Sequence, residues 1–356
     1  MADRDSFDTL APEFRIKIDG NDVPEELRAD LVGVSVLDDV ESTSMCAVSL
    51  SCWDGVEMKV KWVDDDIVRE GKSVAVSVGY RDRQEELFSG EITGLEPEFE
   101  NTKAPMLTVR GYDRSHRLMK QKKTKSYLQM KDSDIARQIA SEASLSPKVD
   151  DTPVVFEHVF QHNQTHLEFL QRRAERIGYE VFAQAKTLNF RKRAVGGSEA
   201  LVLRREEELL EFYPRSTTMN QVADVTVLGW NPKQKEPIVA KSRSSDVIGR
   251  MGADNGPAVM QRTFQGARTV EVRSPVASQG EADALASGLL NEMALHYVTG
   301  DGVCIGRPDL RPGRLVKIEG IGKRFSGLYY VTSTEHAYST GRGYRTMFSV
   351  KRSATG

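Results

Sequence analysis

An approximate internal repeat constrains this chain more than any other feature. Gly71-Lys72-Ser73-Val74-Ala75-Val76 leads to Phe88-Ser89-Gly90, then Ile92-Thr93, then Glu96-Pro97-Glu98-Phe99 and a closing run Leu107-Thr108-Val109-Arg110. Near the C-terminus the order returns as Gly313-Arg314-Leu315-Val316-Lys317-Ile318, Phe325-Ser326-Gly327, Val331-Thr332, Glu335-His336-Ala337-Tyr338 and Phe348-Ser349-Val350-Lys351. Each copy reads turn glycine, alternating strand, Phe-Ser-Gly, strand, acidic-to-aromatic turn, strand. Ordered self-similarity encodes one supersecondary unit used twice. The expectation is a mainly β, α+β chain with two related β-barrel domains. Phe88, Ser89 and Gly90 are then repeat turns equivalent to Phe325, Ser326 and Gly327.

Periodicity fills in the rest. Period-two runs at Phe14–Ile18, Leu31–Val36, Cys46–Leu50, Ser73–Tyr80, Leu87–Ile92 and Met106–Arg110 give about six short strands, the spacing of a sandwich or barrel. The middle changes character. Ser133 is a candidate N-cap before Ile135, Ala136, Ile139, Ala140 and Ala143 at helical spacing. Thr165-His166-Leu167-Glu168 is a capping box ahead of an apolar face of Leu167, Leu170, Ala174 and Ile177, with Gly178 as a C′ glycine. Strands follow at Tyr179–Phe182 and Thr187–Phe190. In the last third, Val222–Leu228 and Thr269–Val272 read as strands, and Ser278-Gln279-Gly280-Glu281 opens a helix. The expected organisation is a first β-barrel domain over 1–115 and an inserted α/β domain over 116–205. A second β-barrel domain follows over 206–356, with one helix at about 278–297 and a long loop at about 241–266.

Composition and motifs exclude more chemistry than they suggest. Forty-nine basic and fifty-two acidic residues give a net charge of −3, unlike the basic balance of a nucleic-acid-binding domain, so no specific nucleic-acid partner is expected. No apolar run approaches the ~20 residues of a bilayer span, so no membrane span is expected, and the acidic N-terminus has no signal-like apolar core. Cys46, Cys52 and Cys304 lack metal spacing and read as buried free thiols. His158, His162 and His166 lie four apart, but the capping box at Thr165 starts a helix there, so they do not share one helical face. His116, His296 and His336 are isolated. No Gly-x-Ser-x-Gly, HExxH or CxxC occurs. Asp64-Asp65-Asp66 and Glu206-Glu207-Glu208 read as solvated like-charge runs. The glycines at 300, 302 and 306 follow a helix, whereas a phosphate loop precedes one. Lys120, Lys122, Lys123 and Lys125, with Arg114 and Arg117, form a local basic patch with only Tyr127 interleaved, more like a solvated rim or docking edge than a phosphate site. The reading is no enzyme: no catalytic residue, no metal and no cofactor.

Several segments carry a resemblance. Phe88-Ser89-Gly90-Glu91-Ile92-Thr93, Val109-Arg110-Gly111-Tyr112-Asp113-Arg114-Ser115-His116-Arg117-Leu118 and Ser133-Asp134-Ile135-Ala136 resemble the late control protein D / VgrG family of contractile tails. So do the helix His166–Glu180, with Leu167, Glu168, Phe169, Leu170, Arg173, Ala174 and Gly178, the run Val227–Pro232, and Arg311-Pro312-Gly313 with Phe325–Val331. The resemblance covers nearly the whole chain through the order of its motifs. It implies a structural baseplate hub of a contractile injection machine: a homotrimer adapting a three-fold spike to a six-fold inner tube. Its two barrels per chain would form a trimeric ring. The implied partners are further copies of the chain, a separate spike protein, the inner tube protein and baseplate wedge proteins. Assembly in the bacterial cytoplasm into a phage tail or tail-like particle is implied too. Type VI VgrG proteins continue into an OB-fold and a β-helical spike, whereas this sequence ends at Gly356, so the spike is expected on a separate chain. The alternatives are a type VI-like VgrG hub lacking its spike, a tail-associated cell-wall hydrolase and a carbohydrate-binding β protein.

Overall fold

The computed structural model describes residues 12–80, 83–249, 251–264, 269–273 and 275–356; the acidic N-terminal segment read above as lacking a signal lies mostly outside them. The chain is mainly β. Its first unit contains β1 (Glu13–Ile18), the short helix α1 (Glu25–Ala29), β2 (Leu31–Asp39), β3 (Met45–Ser51), β4 (Ser73–Tyr80), β5 (Arg83–Glu98) and β6 (Met106–Tyr112). Period-two alternation decides which side chains are inside. Phe14, Ile16 and Ile18 of β1, Cys46, Val48 and Leu50 of β3, and Val74 and Val76 of β4 share one core with Leu107 and Val109 of β6.

The middle unit has its own core. β7 (Lys122–Lys131) pairs with β9 (Val155–Thr165), while β8 (Ser146–Val149), β11 (Thr187–Lys192) and β10 (Tyr179–Gln184) make a three-stranded sheet, β8 parallel to β11. Helices α2 (Asp132–Glu142) and α3 (His166–Glu175) bury Ile135, Ile139, Leu167 and Leu170 against Leu188 and Phe190. Ser133 is not the cap of α2. It lies in the first turn, where its amide donates to Thr152 Oγ1 at 3.1 Å, and the helix begins one residue earlier with Lys131 at the N-cap.

The second β unit contains β12 (Leu201–Arg204), β13 (Leu209–Ser216), β17 (Val298–Ile305), β18 (Leu315–Glu319), β19 (Gly327–Ser339) and β20 (Gly343–Arg352), around Leu203, Val316, Ile318, Tyr329 and Val350. β12 pairs in parallel with β18, so this unit begins at Leu201 and not after 205; the local alternation of Leu201–Leu203 carries no sign of which sheet the strand joins. Between β13 and β17 lies a separate layer. β15 (Glu236–Arg243), β14 (Asp224–Asn231) and β16 (Thr269–Arg273) form a sheet covered by α5 (Gln279–Leu295), with Val225, Val227 and Ala240 packed on Ala282, Leu285 and Leu290. The expected loop at 241–266 is partly structured. β15 extends to Arg243, and α4 (Gly256–Thr263) is started by Asn255, whose Oδ1 accepts from the Ala258 amide at 2.8 Å, with Pro257 in its first turn.

The two β units share one hydrogen-bonded path, β13-β17-β20-β19-β2-β3-β6-β5-β4-β1, instead of two separate ones. The repeat is legible in it rung by rung. Gly71 donates to Ile92 O at 2.8 Å and Ile92 to Lys72 O at 2.8 Å; Gly313 donates to Val331 O at 2.8 Å and Val331 to Arg314 O at 2.9 Å. Both glycines sit at positive φ, +87° and +75°. The next strand pairing slips by one residue between Ile92 and Gly94 in the first unit and between Val331 and Ser333 in the second. A further matched slip lies between Leu31 and Gly33 of β2 and between Leu209 and Glu211 of β13. Thus β2, β3, β6 and β5 correspond to β13, β17, β20 and β19.

One correction concerns Phe-Ser-Gly. Gly90 faces Val74, and the position matching Val74 is Val316, which faces Tyr329 and not Gly327. The two tripeptides are therefore displaced by two residues, and only one is a turn. Phe88, Ser89 and Gly90 lie inside β5, with Phe88 buried, whereas Phe325 and Ser326 form the bend before β19 and Gly327 is its first residue. A two-residue slip keeps every side chain on its own face, so the letters drift while glycine turns and bulges hold the register.

Candidate functional site

The resemblance motifs fasten units to one another. Asp113 accepts from the Ser115 amide at 2.6 Å and the Ser44 amide at 2.8 Å, starting the 3-10 turn Arg114–Met119. That turn presents Arg117 and His116 to Glu91: Arg117 Nε and Nη2 lie at 2.9 and 2.5 Å, and His116 Nε2 at 2.9 Å. Burial opposes the charge on Glu91, but the hydrogen bonds from Arg117 and His116 outweigh it and hold its carboxyl below the usual range. Burial, opposed by the Ser115 hydrogen bonds, pushes Asp113 upward.

Helix α3 is anchored in the same manner. Thr165 Oγ1 accepts from the Glu168 amide at 3.2 Å while Glu168 Oε2 accepts from the Thr165 amide at 2.8 Å. Leu167, Phe169, Leu170 and Ala174 are buried, Arg173 donates to Asp132 at 2.6 Å, and Gly178 closes the turn at φ +69°. The seven residues singled out in this helix motif thus lie in the capping box, the buried face, the Arg173–Asp132 pair and the closing turn.

Two ion pairs and one hydrogen-bonded pair of charges join the middle unit to the second β unit and to α5. Buried Glu180 accepts from Arg191 Nε at 2.7 Å and from the Tyr330 hydroxyl, and Arg191 also reaches Gly313 O at 3.1 Å. Arg193 pairs with Glu292, and Arg176 with Glu281 at 2.9 Å. Burial raises Glu180; for Glu292 the Arg193 guanidinium outweighs burial and lowers it. These pairs line a cleft of about 1190 Å³ between α3, β9 and α5. In the cleft Arg176 is paired with Glu281 and Arg193 with Glu292, while Arg173 is held by Asp132.

The remaining candidates do not converge. His158 and His162 flank Phe160 on β9, ring centroids 6.0 and 5.6 Å from it, whereas His166 is buried at the start of α3. Burial, then Lys123, lowers the His166 pKa. Buried His336 contacts the Tyr344 hydroxyl at 2.9 Å and Thr346 Oγ1 at 3.2 Å, and burial takes its pKa down to about 3. Among the described residues no group of histidine, cysteine and carboxylate side chains is arranged to hold a metal. Cys46, Cys52 and Cys304 are buried free thiols, with burial pushing Cys46 and Cys304 up to about 12. In the basic run, Lys125 pairs with Glu142 at 2.6 Å and Lys123 with the same carboxylate at 3.9 Å, while Lys120 and Lys122 are exposed. No described helix is long and apolar enough to cross a membrane.

What the sequence reading missed is a pair of open strand edges. Among the described residues the Gly94–Glu98 stretch of β5 pairs only with β6, and β13 only with β17 apart from one bridge at Leu209. Phe99, just past the first edge, is 61% exposed, and Tyr213 on the second is 65% exposed. The signal in sequence was proline: Pro97 and Pro214 each sit inside a strand pattern, which confines proline to an edge.

Comparison with known proteins follows this architecture. Residues 8–340 match the family model of the Alg8 N-terminal domain. No curated protein matches the sequence. Among solved structures, the 43 kDa tail protein of prophage MuSo2 from Shewanella oneidensis is similar over 97% of this chain and 100% of its own, with a TM-score of 0.71 at 14% identity. A tail protein from Neisseria meningitidis MC58 is similar over 96% of this chain and 97% of its own, with a TM-score of 0.69 at 12% identity. An Escherichia coli component of the type VI secretion system, itself structurally similar to bacteriophage T4 tail proteins gp27 and gp5, is similar over 94% of this chain and 76% of its own. There the TM-score is 0.60 at 14% identity. At these identities the likeness is one of fold.

Proposed function

From the premise that this chain belongs to the Alg8 N-terminal domain family, with the fold of phage tail proteins, we propose that it is a structural hub of a contractile injection machine. In this reading three copies form a ring that adapts a three-fold spike, carried on a separate protein, to a six-fold inner tube. Baseplate wedge proteins surround it, within a phage tail or tail-like particle assembled in the bacterial cytoplasm. The observation that carries the reading is the duplication itself. Two β units matched at two bulges give three chains six similar surfaces, and a joint between three-fold and six-fold parts requires just that number. Such an adaptor works through interfaces, so this reading assigns it no catalytic residue and no cofactor. Paired charges in the cleft and hydrogen-bonded motif residues support that assignment.

Native mass spectrometry of the purified chain, alone and with spike and tube proteins added, tests the proposal. A mass of three chains supports it. A chain that stays single at high concentration and with both partners present overturns it. Incubation with peptidoglycan separates the hydrolase alternative: reproducible clearing that tracks the protein would end the non-enzymatic reading.

A further inference from the structure

A ring of such chains needs an edge through which one copy receives the next, and the inference below rests on the hub reading. One junction between β units is already made inside the chain. β19 lies antiparallel to β2, with Ser333 opposite Asp39 through to Ser339 opposite Gly33. Since β5 corresponds to β19 and β13 to β2, the duplication supplies each side of this junction a second time. Those second sides are the two open edges, Gly94–Glu98 and β13. Their exposure fits an absent neighbour. His336 and Val36 are fully buried in the internal junction, whereas the matching Pro97 is exposed and Pro214 half-exposed.

We propose that the β5 edge of one chain pairs with the β13 edge of a second copy, antiparallel, in the register of the internal junction. Carrying that register across places Glu96 opposite Arg215, Pro97 opposite Pro214, Glu98 opposite Tyr213 and Phe99 opposite Phe212 of the next copy. Three properties of these residues support the match. Glu96, which accepts from Arg110 Nε and Nη2 at 2.8 and 2.6 Å on its own sheet, would share its carboxylate with Arg215, whose exposed side chain carries no hydrogen bond or ion pair among the described residues. Phe99 and Phe212 bring together two aromatic rings, a favourable cross-strand pair. The prolines are the third.

In the internal junction Val40 donates to Thr332 O at 3.1 Å and Thr340 to Val32 O at 3.4 Å. Alternation along an antiparallel ladder then makes His336 and Val36 a hydrogen-bonded rung. Pro97 and Pro214 occupy that rung at the open edges. Each removes the one N–H that would point into empty space there, which keeps both edges from accepting stray strands. Opposed to each other, they widen a single rung; any other hydrogen-bonded register would widen two. The edge protection and the register come from the same two residues. Because the contact joins unlike edges, each copy offers one and receives one, and three copies close a ring of six β units.

Disulfide trapping tests the register. Glu98→Cys and Tyr213→Cys fall on a non-hydrogen-bonded rung, where Cα atoms are about 4.5 Å apart, within disulfide reach. The native cysteines are buried. Under a mild oxidant the double variant is expected to give a non-reducing band of three times the 39.7 kDa chain mass. A mixture of the two single variants is expected to stop at two chains, and neither single variant alone to link at all. The offset pair Glu98→Cys with Arg215→Cys, about 7–8 Å apart on the diagonal, is expected to stay unlinked. Three-chain particles by native mass that do not link through the matched pair, or that link through the offset pair, overturn this seam while leaving the hub reading intact. A chain that never associates overturns both.

Discussion

His336 shows how one buried residue writes a pH dependence into the fold. It sits where β19 meets β2, neutral, between the Tyr344 and Thr346 hydroxyls, and burial with Arg311 nearby lowers its pKa to about 3. An unfolded histidine takes up its proton near pH 6.5. The stability this group confers is therefore complete above that pH and is lost as the pH falls toward 3, since the unfolded chain binds the extra proton. Between pH 7 and pH 5 the loss is about 2 kcal/mol. His336→Asn is expected to remove that slope, so urea midpoints of the variant should change less between these pH values than those of the parent; an unchanged difference would show that His336 is not its source. Glycines supply a second residue-scale contrast. A Cβ on Gly90 would lie 2.2 Å from the Tyr112 carbonyl oxygen, whereas at Gly94 it would meet nothing within 4 Å. Gly90→Ala is expected to cost about 1–3 kcal/mol and Gly94→Ala less than about 0.5 kcal/mol, read as the shift in denaturant midpoint.

At the scale of elements, local signals were read well and long-range pairing was not. The capping box at Thr165 and Glu168 predicts where α3 starts because both partners lie within four residues. Thr165→Ala is expected to cost about 1 kcal/mol. Adding Glu168→Ala should cost less than the sum of the two single changes, since each half of the box positions the other; full additivity in a double-mutant cycle would contradict that coupling. Turn glycines Gly71 and Gly313 and the matching segments Ile92-Thr93 and Val331-Thr332 marked the duplication for the same local reason. Phe-Ser-Gly misled because a strand tolerates a two-residue drift in its letters without changing face. The start of α4 was marked by Asn255 before Gly256-Pro257, yet the glycine and serine content around it looked like loop. Nothing local shows that β12 joins β18 or that β19 joins β2, because those contacts close loops of more than a hundred and of about three hundred residues. The candidate seam was invisible for that reason. Its prolines were in plain sight, but a proline reads as an edge only once the strand order is known.

The whole molecule is built so that its energy of assembly is divided among repeated contacts, and this makes a single surface charge informative. The Arg215 side chain is exposed and unpaired among the described residues, so Arg215→Glu should leave the unfolding midpoint of one chain within about 0.5 kcal/mol of the parent. In the ring the same substitution sets the introduced carboxylate of one copy against Glu96 of its neighbour. Arg110 already pairs with Glu96 at 2.6 Å, so replacing attraction by repulsion at this exposed strand pair changes the free energy by at most about 1 kcal/mol. A closed ring of three contains that seam three times, so the association constant should fall by up to about 100-fold. Sedimentation over a concentration series, in moderate salt, reads the shift. The Debye length is about 8 Å at physiological ionic strength, so added salt should narrow the gap between parent and variant. Pro97 and Pro214 deny the seam two backbone hydrogen bonds at its centre, leaving side chains a larger share of its specificity than in an unbroken sheet. An Arg215→Glu chain that assembles at the parent's concentration would place the contact elsewhere on the surface.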